Sequence, residues 1–157
     1  MKIDLIQPDS TDQWAEARRL VEEYAAALHL DLGFQNFERE ANNLACEYGP
    51  PDGAFFLALA EHDSEVVGCV ALRKFSEGTC EMKRLYVVPA SRGHGVGRAL
   101  AEGIVAQGRR LGYKRMLLDT LEFMKEAHAL YVSLGFERTA EYRFNPIPGS
   151  SFLELKL

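Results

Sequence analysis

The residues with the clearest capacity for chemistry lie in Arg92-Gly93-His94-Gly95-Val96-Gly97 and the Arg98 that follows. An apolar run, Leu85-Tyr86-Val87-Val88-Pro89, precedes them, and Val96, Leu100 and Ile104 recur at helical spacing after them. The glycines therefore occupy a strand-to-helix junction. At positions 92–94 no Ser, Thr, Asp or Asn is available to accept hydrogen bonds from the N–H groups of the first helical turn. Acidic residues stabilise a first turn by about 0.3–1 kcal/mol, yet Arg92, His94 and Arg98 flank this one and Glu102 comes only later. That sign is wrong for a self-sufficient helix and right for a bound phosphate approached by glycine backbone. The same residues also suit a solvent-wetted turn with surface arginines, because short glycine patterns recur by chance.

The elements that must position this loop follow from periodicity. Lys2 to Gln7, ended by Pro8, suits a short edge strand, and Asp9 to Asp12 offer N-caps for a helix with Trp14, Ala17, Val21, Tyr24 and Leu28 on its apolar face. After the pattern breaks at His29 to Phe34, a second helix is expected from Phe37 to Tyr48, stopped by Gly49-Pro50-Pro51. Ala54–Ala60 and Val66–Leu72 form a hairpin, the second run being continuously apolar as in a strand covered on both faces. In the next strand, from Thr79, Cys80 and Met82 alternate with Glu81 and Lys83, but Arg84 falls where an apolar residue is due and Leu85 and Val87 take over. One extra residue, a β-bulge, restores both halves to one face; a change of environment along a regular strand explains the slip equally well. Arg115 to Asp119 reads as a strand. A helix from about Met124 turns Ala127, Leu130, Tyr131 and Leu134 inward and ends at Gly135. Glu137–Tyr142 and Phe152–Leu157 are the last expected strands, joined by a turn-rich connector at Asn145 to Ser150.

Composition narrows the class. A chain of 157 residues, 47% hydrophobic, without repeat or low-complexity tract, reads as one domain over residues 1–157. No apolar run reaches the roughly 18 residues of a membrane span and no secretory h-region opens the chain, so a cytoplasmic protein with no membrane partner is expected. Cys46, Cys69 and Cys80 lack paired spacing, which favours free thiols over metal ligation. A net charge of −5 argues against nucleic acid and leaves room for a cationic or amine-bearing substrate.

With loop, slipped strand and inward Tyr in order, the chain resembles the GNAT superfamily of acyl-CoA-dependent N-acyltransferases. Arg92-Gly93-His94-Gly95-Val96-Gly97 matches that family's pyrophosphate motif, Arg or Gln, two variable residues, Gly, one variable residue, then Gly or Ala. Glu81 to Val87, Ala127-His128-Ala129-Leu130-Tyr131 and Leu134-Gly135-Phe136 follow its order and spacing. The likeness covers roughly Glu65 to Leu157, whereas the first two helices match in outline.

The resemblance implies an α+β, mixed α/β domain with a central twisted sheet of about six or seven strands, splayed at a β-bulge and flanked by about four helices. It implies that the pantetheine arm of acetyl-CoA enters as a pseudo-strand beside the backbone of Leu85 and Val87. Backbone N–H groups of Gly93, His94, Gly95, Val96, Gly97 and Arg98 then hold the pyrophosphate next to Arg92. Many relatives carry Asn seven residues before the helical Tyr; Met124 stands there, which removes that side-chain contact. Acetyl transfer to an amine needs a neutral nucleophile, a polarised thioester carbonyl and a proton for the departing thiolate. By resemblance Tyr131 is the general acid, with core packing as its alternative.

Glu81 is the candidate general base, unless it is ion-paired with Lys83 or Arg84, and Asp119 is the runner-up base or a helix N-cap. His94 and His128 receive no chemical role. The expected acceptor is a primary amine on a small molecule, peptide or protein, selected around His29 to Phe34 and Asn145 to Ser150. A noncatalytic acyl-CoA sensor is the alternative function. A homodimer, common among such proteins, has no independent support in these residues.

Overall fold

A computed structural model describes residues 2–28, 36–61 and 64–157. Its chain order is β1 (Ile3–Ile6), α1 (Thr11–Leu28), α2 (Phe37–Asn42), α3 (Leu44–Tyr48), β2 (Ala54–Ala60), β3 (Val66–Ser76), β4 (Thr79–Val87), α4 (Val96–Arg110), β5 (Arg115–Leu121), α5 (Lys125–Ser133), β6 (Glu137–Arg138) and β7 (Ser150–Lys156). The strands form one sheet in the order β1-β2-β3-β4-β5-β7-β6, antiparallel except where β4 meets β5. The mixed sheet and its flanking helices agree with the expected fold class.

Strand pleat divides the core in two. In β2, Phe55 and Leu57 face one side, with Leu20, Val21 and Tyr48, while Phe56 and Ala58 face the other, with Leu100, Ile104 and Met116. Each fully buried Leu, Ile or Phe contributes about 1.5–3 kcal/mol of transfer free energy, so both layers stabilise the sheet between them. Ser10 caps α1, its hydroxyl accepting from the Gln13 N–H at 3.2 Å.

The segment read as one helix over Phe37 to Tyr48 is two. Asn43, at φ −139° and ψ 37°, interrupts the helical backbone, and its side-chain amide donates to the Arg39 carbonyl at 2.9 Å. Asn competes for local backbone in this way, which is why a break falls there. The strand expected over Glu137–Tyr142 is also shorter, since β6 ends at Arg138. Beyond it, Thr139 still donates to the Phe152 carbonyl at 2.9 Å, and Tyr142 and Arg143 hydrogen-bond Glu81.

The slip along β4 is a bulge. Between two register pairs, Ala71↔Lys83 and Cys69↔Tyr86, β3 advances by two residues and β4 by three. Arg84 sits at φ +60°, a conformation that costs a non-glycine residue roughly 1 kcal/mol or more. Its carbonyl accepts from the Cys69 thiol at 3.3 Å, and its guanidinium turns sideways to Glu40. The bulge coincides with a parting of strands: β4 and β5 pair only at Thr79↔Arg115, Cys80↔Met116 and Glu81↔Leu117. Past that point their facing backbone edges diverge.

Candidate active site

Where β4 and β5 part, a groove of about 630 Å³ opens, lined by Leu85, Val87, Arg92, Gly93, Gly95, Val96, Gly97 and Arg98, with Leu130 of α5 on its far side. His94 belongs to the same turn but does not line the groove. The turn is shaped by two glycines in the left-handed region, Gly93 at φ 81° and Gly95 at φ 82°. Gly95 is the N-cap residue of α4 and offers no side-chain cap; the first turn holds no acidic residue. The arginines are turned to other tasks. Arg92 Nε donates to the Val87 carbonyl at 3.0 Å, and Arg98 donates to Ser133 Oγ at 2.9 Å. The backbone of the turn, with the positive end of the α4 dipole behind it, is thus the part left to meet an anion.

An inner cavity of about 40 Å³ continues the groove past Tyr24, Leu28, Leu85 and Met124, which line both. Its wall carries Lys83, Arg84, Asp119, Thr120, Tyr131 and Asn145. Tyr131 is 6% exposed, its ring edge-on to Phe136 with centroids 5.8 Å apart. Burial, then the nearby Tyr24 and Asp119, push its phenol well above the ordinary value, so it stays protonated at neutral pH. Asp119, within β5, accepts from Asn145 Nδ2 at 3.0 Å and lies 3.8 Å from Lys83 Nζ. Burial pushes the Lys83 ammonium down to about 8; Glu81 and Asp119 oppose that shift, while Arg84 and Arg143 add to it.

Glu81 is placed differently from Tyr131. It is fully buried and lines neither cavity. Its Oε1 accepts from Arg73 Nε at 3.1 Å and Arg143 Nη2 at 2.7 Å, and its Oε2 from the Tyr142 hydroxyl at 2.6 Å. Tyr142 remains a phenol, pushed up first by burial and then by the Glu81 charge. The structure therefore gathers Leu85, Val87, the glycine turn and Tyr131 around one connected space and leaves Glu81 outside it. Of the segments expected to select the acceptor, His29 to Phe34 lies outside the described residues. The connector does reach the inner cavity, through Asn145 and Ile147.

Lys83 and the Arg84–Glu40 pair take more of the site than their sequence suggested. Arg84 was visible as the residue out of phase, but nothing local marks Glu40 as its partner. Arg84 Nε and Nη2 donate to the two Glu40 oxygens at 2.7 and 3.0 Å, with the guanidinium also 5.3 Å from the Phe37 ring centre. This pair ties the bulge to α2.

Residues 14–136 match the model of the acetyltransferase (GNAT) family. The chain belongs to the GNAT family. It is 43% identical over 141 residues to an uncharacterized N-acetyltransferase of Schizosaccharomyces pombe, covering 89% of this chain and 86% of that protein. Among solved structures, a GNAT-family acetyltransferase of Staphylococcus aureus Mu50 superposes with a TM-score of 0.80 at 17% identity, covering 99% of both chains. The PaiA N-acetyltransferase of Thermoplasma acidophilum, solved in complex with coenzyme A, superposes with a TM-score of 0.70 at 16% identity over the whole of each chain. At those identities the structures establish the fold, while the family match makes this GNAT protein an N-acetyltransferase.

Gly97 of this GNAT protein lines the groove beside the turn. A methyl group built on Gly97 meets only Val87 Cγ2 at 3.7 Å and Leu130 Cδ2 at 3.8 Å, ordinary contacts within the groove wall. Gly97→Ala is therefore expected to melt within a few degrees of the wild type yet bind coenzyme A about tenfold more weakly, as the methyl takes space the ligand needs. Calorimetric titration showing equal affinity would place the ligand away from this turn.

Proposed function

We propose that the protein transfers an acetyl group from acetyl-CoA to a primary amine by direct attack on the thioester, in the space between the glycine turn and Tyr131. The observation that carries this reading is the parting of β4 from β5 after Glu81↔Leu117, which leaves strand edge facing a groove that runs from the turn to a buried phenol. The coenzyme A complex of the structural neighbour supports the choice of cosubstrate.

In this reading the N–H groups of Gly93 to Arg98 hold the pyrophosphate, and the β4 edge at Leu85 lies along the pantetheine arm. Acetyl-CoA supplies the activated carbonyl and a thiolate leaving group. Tyr131, held neutral by burial, donates its hydroxyl proton toward the departing sulfur. Asp119 takes the base role in place of Glu81. Among the described residues it is the carboxylate on the inner wall, whereas both Glu81 oxygens are occupied by Arg73, Arg143 and Tyr142. Glu81 is then the anchor for Tyr142 and Arg143, in the segment that leads into the connector.

The test is free-thiol release from acetyl-CoA in the presence of a panel of primary amines, with the acetylated product identified by mass. Amine-dependent thiol release with an acetyl group on the amine nitrogen is expected. Tight coenzyme A binding without turnover on any amine would instead indicate a sensor.

A further inference from the structure

We infer that Asn145 is a positioning residue for the proton transfer, holding the Asp119 carboxylate with one oxygen fastened and the other left to the acceptor amine; this rests on the acetyl-transfer reading of the same cavity, with Asp119 as its base. Both residues line the inner cavity. Asn145 Nδ2 donates to Asp119 Oδ2 at 3.0 Å. Asp119 Oδ1 accepts no hydrogen bond among the described residues, the Lys83 ammonium standing 3.8 Å away. The terminal torsion of a carboxylate is broad, so without a fixed donor its oxygens sample orientations that miss the amine.

The far side of the same amide fixes its direction. Asn145 Oδ1 accepts from the Ile147 N–H at 3.0 Å. A backbone N–H can only donate and an ionised carboxylate can only accept, so a single orientation of the amide satisfies both neighbours. The turn around it is stiff: Ile147 stands between Pro146 and Pro148, whose rings fix φ, and its carbonyl accepts from Ser150 Oγ at 2.6 Å. The segment is also braced at each end. Tyr142 and Arg143 donate to Glu81 before the turn, and the Gly149 carbonyl accepts from the Glu122 N–H at 3.0 Å after it. Asn145 therefore reaches Asp119 from a loop whose geometry is set independently of the carboxylate, which is what preorganisation of a reacting group requires. As the C–N bond forms and the C–S bond breaks, the amine nitrogen sheds one proton to Asp119 Oδ1 and the sulfur takes one from Tyr131; exchange with solvent resets both side chains.

The experiment compares kcat for thiol release from acetyl-CoA, with the best acceptor from the amine panel, in the wild type, Asn145→Ala, Asn145→Asp, Asp119→Asn and the two double variants. Asn145→Asp separates turn from positioning: its carboxylate still accepts from the Ile147 N–H and keeps the turn, but it offers Asp119 no donor. Both Asn145 variants are expected to lower kcat by about 10- to 100-fold with the KM for acetyl-CoA near wild type, because a misplaced reacting group costs rate rather than cosubstrate binding. In the Asp119→Asn background either change should cost no more than about twofold further, since residues acting as one unit are not additive. If Asn145→Ala fails to fold, Asn145→Asp and its double variant decide alone. A wild-type kcat for Asn145→Asp, or the same fold loss with and without Asp119, would overturn the positioning role and leave acetyl transfer standing. A wild-type kcat for Asp119→Asn would overturn the base assignment and the positioning role together. Absence of thiol release with every amine, alongside calorimetric binding of coenzyme A, would overturn the acetyl-transfer reading and all that rests on it.

Discussion

Tyr131→Phe is expected to lower kcat by about 10²- to 10⁴-fold, the usual contribution of a positioned general acid, while coenzyme A affinity stays near wild type. The substitution removes one oxygen from a ring that packs against Phe136 and leaves the ring in place. The phenol is buried at the inner cavity, and its pKa lies above the ordinary value because burial disfavours the phenolate. A neutral donor at that position strengthens its hydrogen bond as negative charge develops on sulfur, so the loss should fall on kcat more than on KM. Steady-state thiol release and calorimetry on the same preparation separate the two. A wild-type kcat would make Tyr131 a packing residue and require another proton source.

Glu40→Gln is expected to destabilise the fold by about 3–5 kcal/mol, since it leaves the Arg84 guanidinium buried without its counter-charge. Against a typical total of roughly 5–15 kcal/mol, that is a large share. Both side chains are nearly fully buried, at 3% and 2% exposure for Glu40 and Arg84, and two hydrogen bonds join them. Burial alone would raise the Glu40 carboxyl, but the Arg84 hydrogen bonds and charge prevail and hold it below the ordinary value. A carboxyl whose folded pKa is depressed contributes stability above its unfolded value, and loses it as pH falls through the folded one. The wild type should therefore lose part of its stability on acidification below about pH 4.5, and Glu40→Gln should show a shallower loss there. Urea unfolding at neutral and acid pH reads both effects. The double replacement Glu40→Leu with Arg84→Met should recover much of the loss, because no charge is then buried alone. A single variant as stable as wild type would show that the bulge does not depend on this pair.

The contrast between the two predictions follows the contrast between what local sequence carries and what it does not. Period-two alternation marked the slip at Arg84, with a bulge as one of two readings, because a one-residue slip reverses every side chain and an Arg in an apolar position is conspicuous. The glycine turn was equally legible, since missing caps and wrong-sign charges are properties of neighbouring residues. The partner of Arg84 lies 44 residues away, and Tyr142 and Arg143 reach Glu81 across 61 and 62. No periodicity encodes such pairs; the topology of the sheet brings them together. That is also why Glu81 read as a candidate base or a partner of Lys83 or Arg84, when its oxygens accept from Arg73, Tyr142 and Arg143. The break at Asn43 was missed for a related reason, local pattern there being overridden by a side-chain hydrogen bond to nearby backbone.

Backbone amide hydrogen exchange with and without coenzyme A tests the central claim most directly. If the cosubstrate lies where β4 and β5 part, added coenzyme A should slow exchange at Gly93 to Arg98 and along Leu85 to Val87, with little change in β1, β2 or β6. Unchanged exchange in both stretches at saturating coenzyme A, or protection confined to another edge of the sheet, would contradict it.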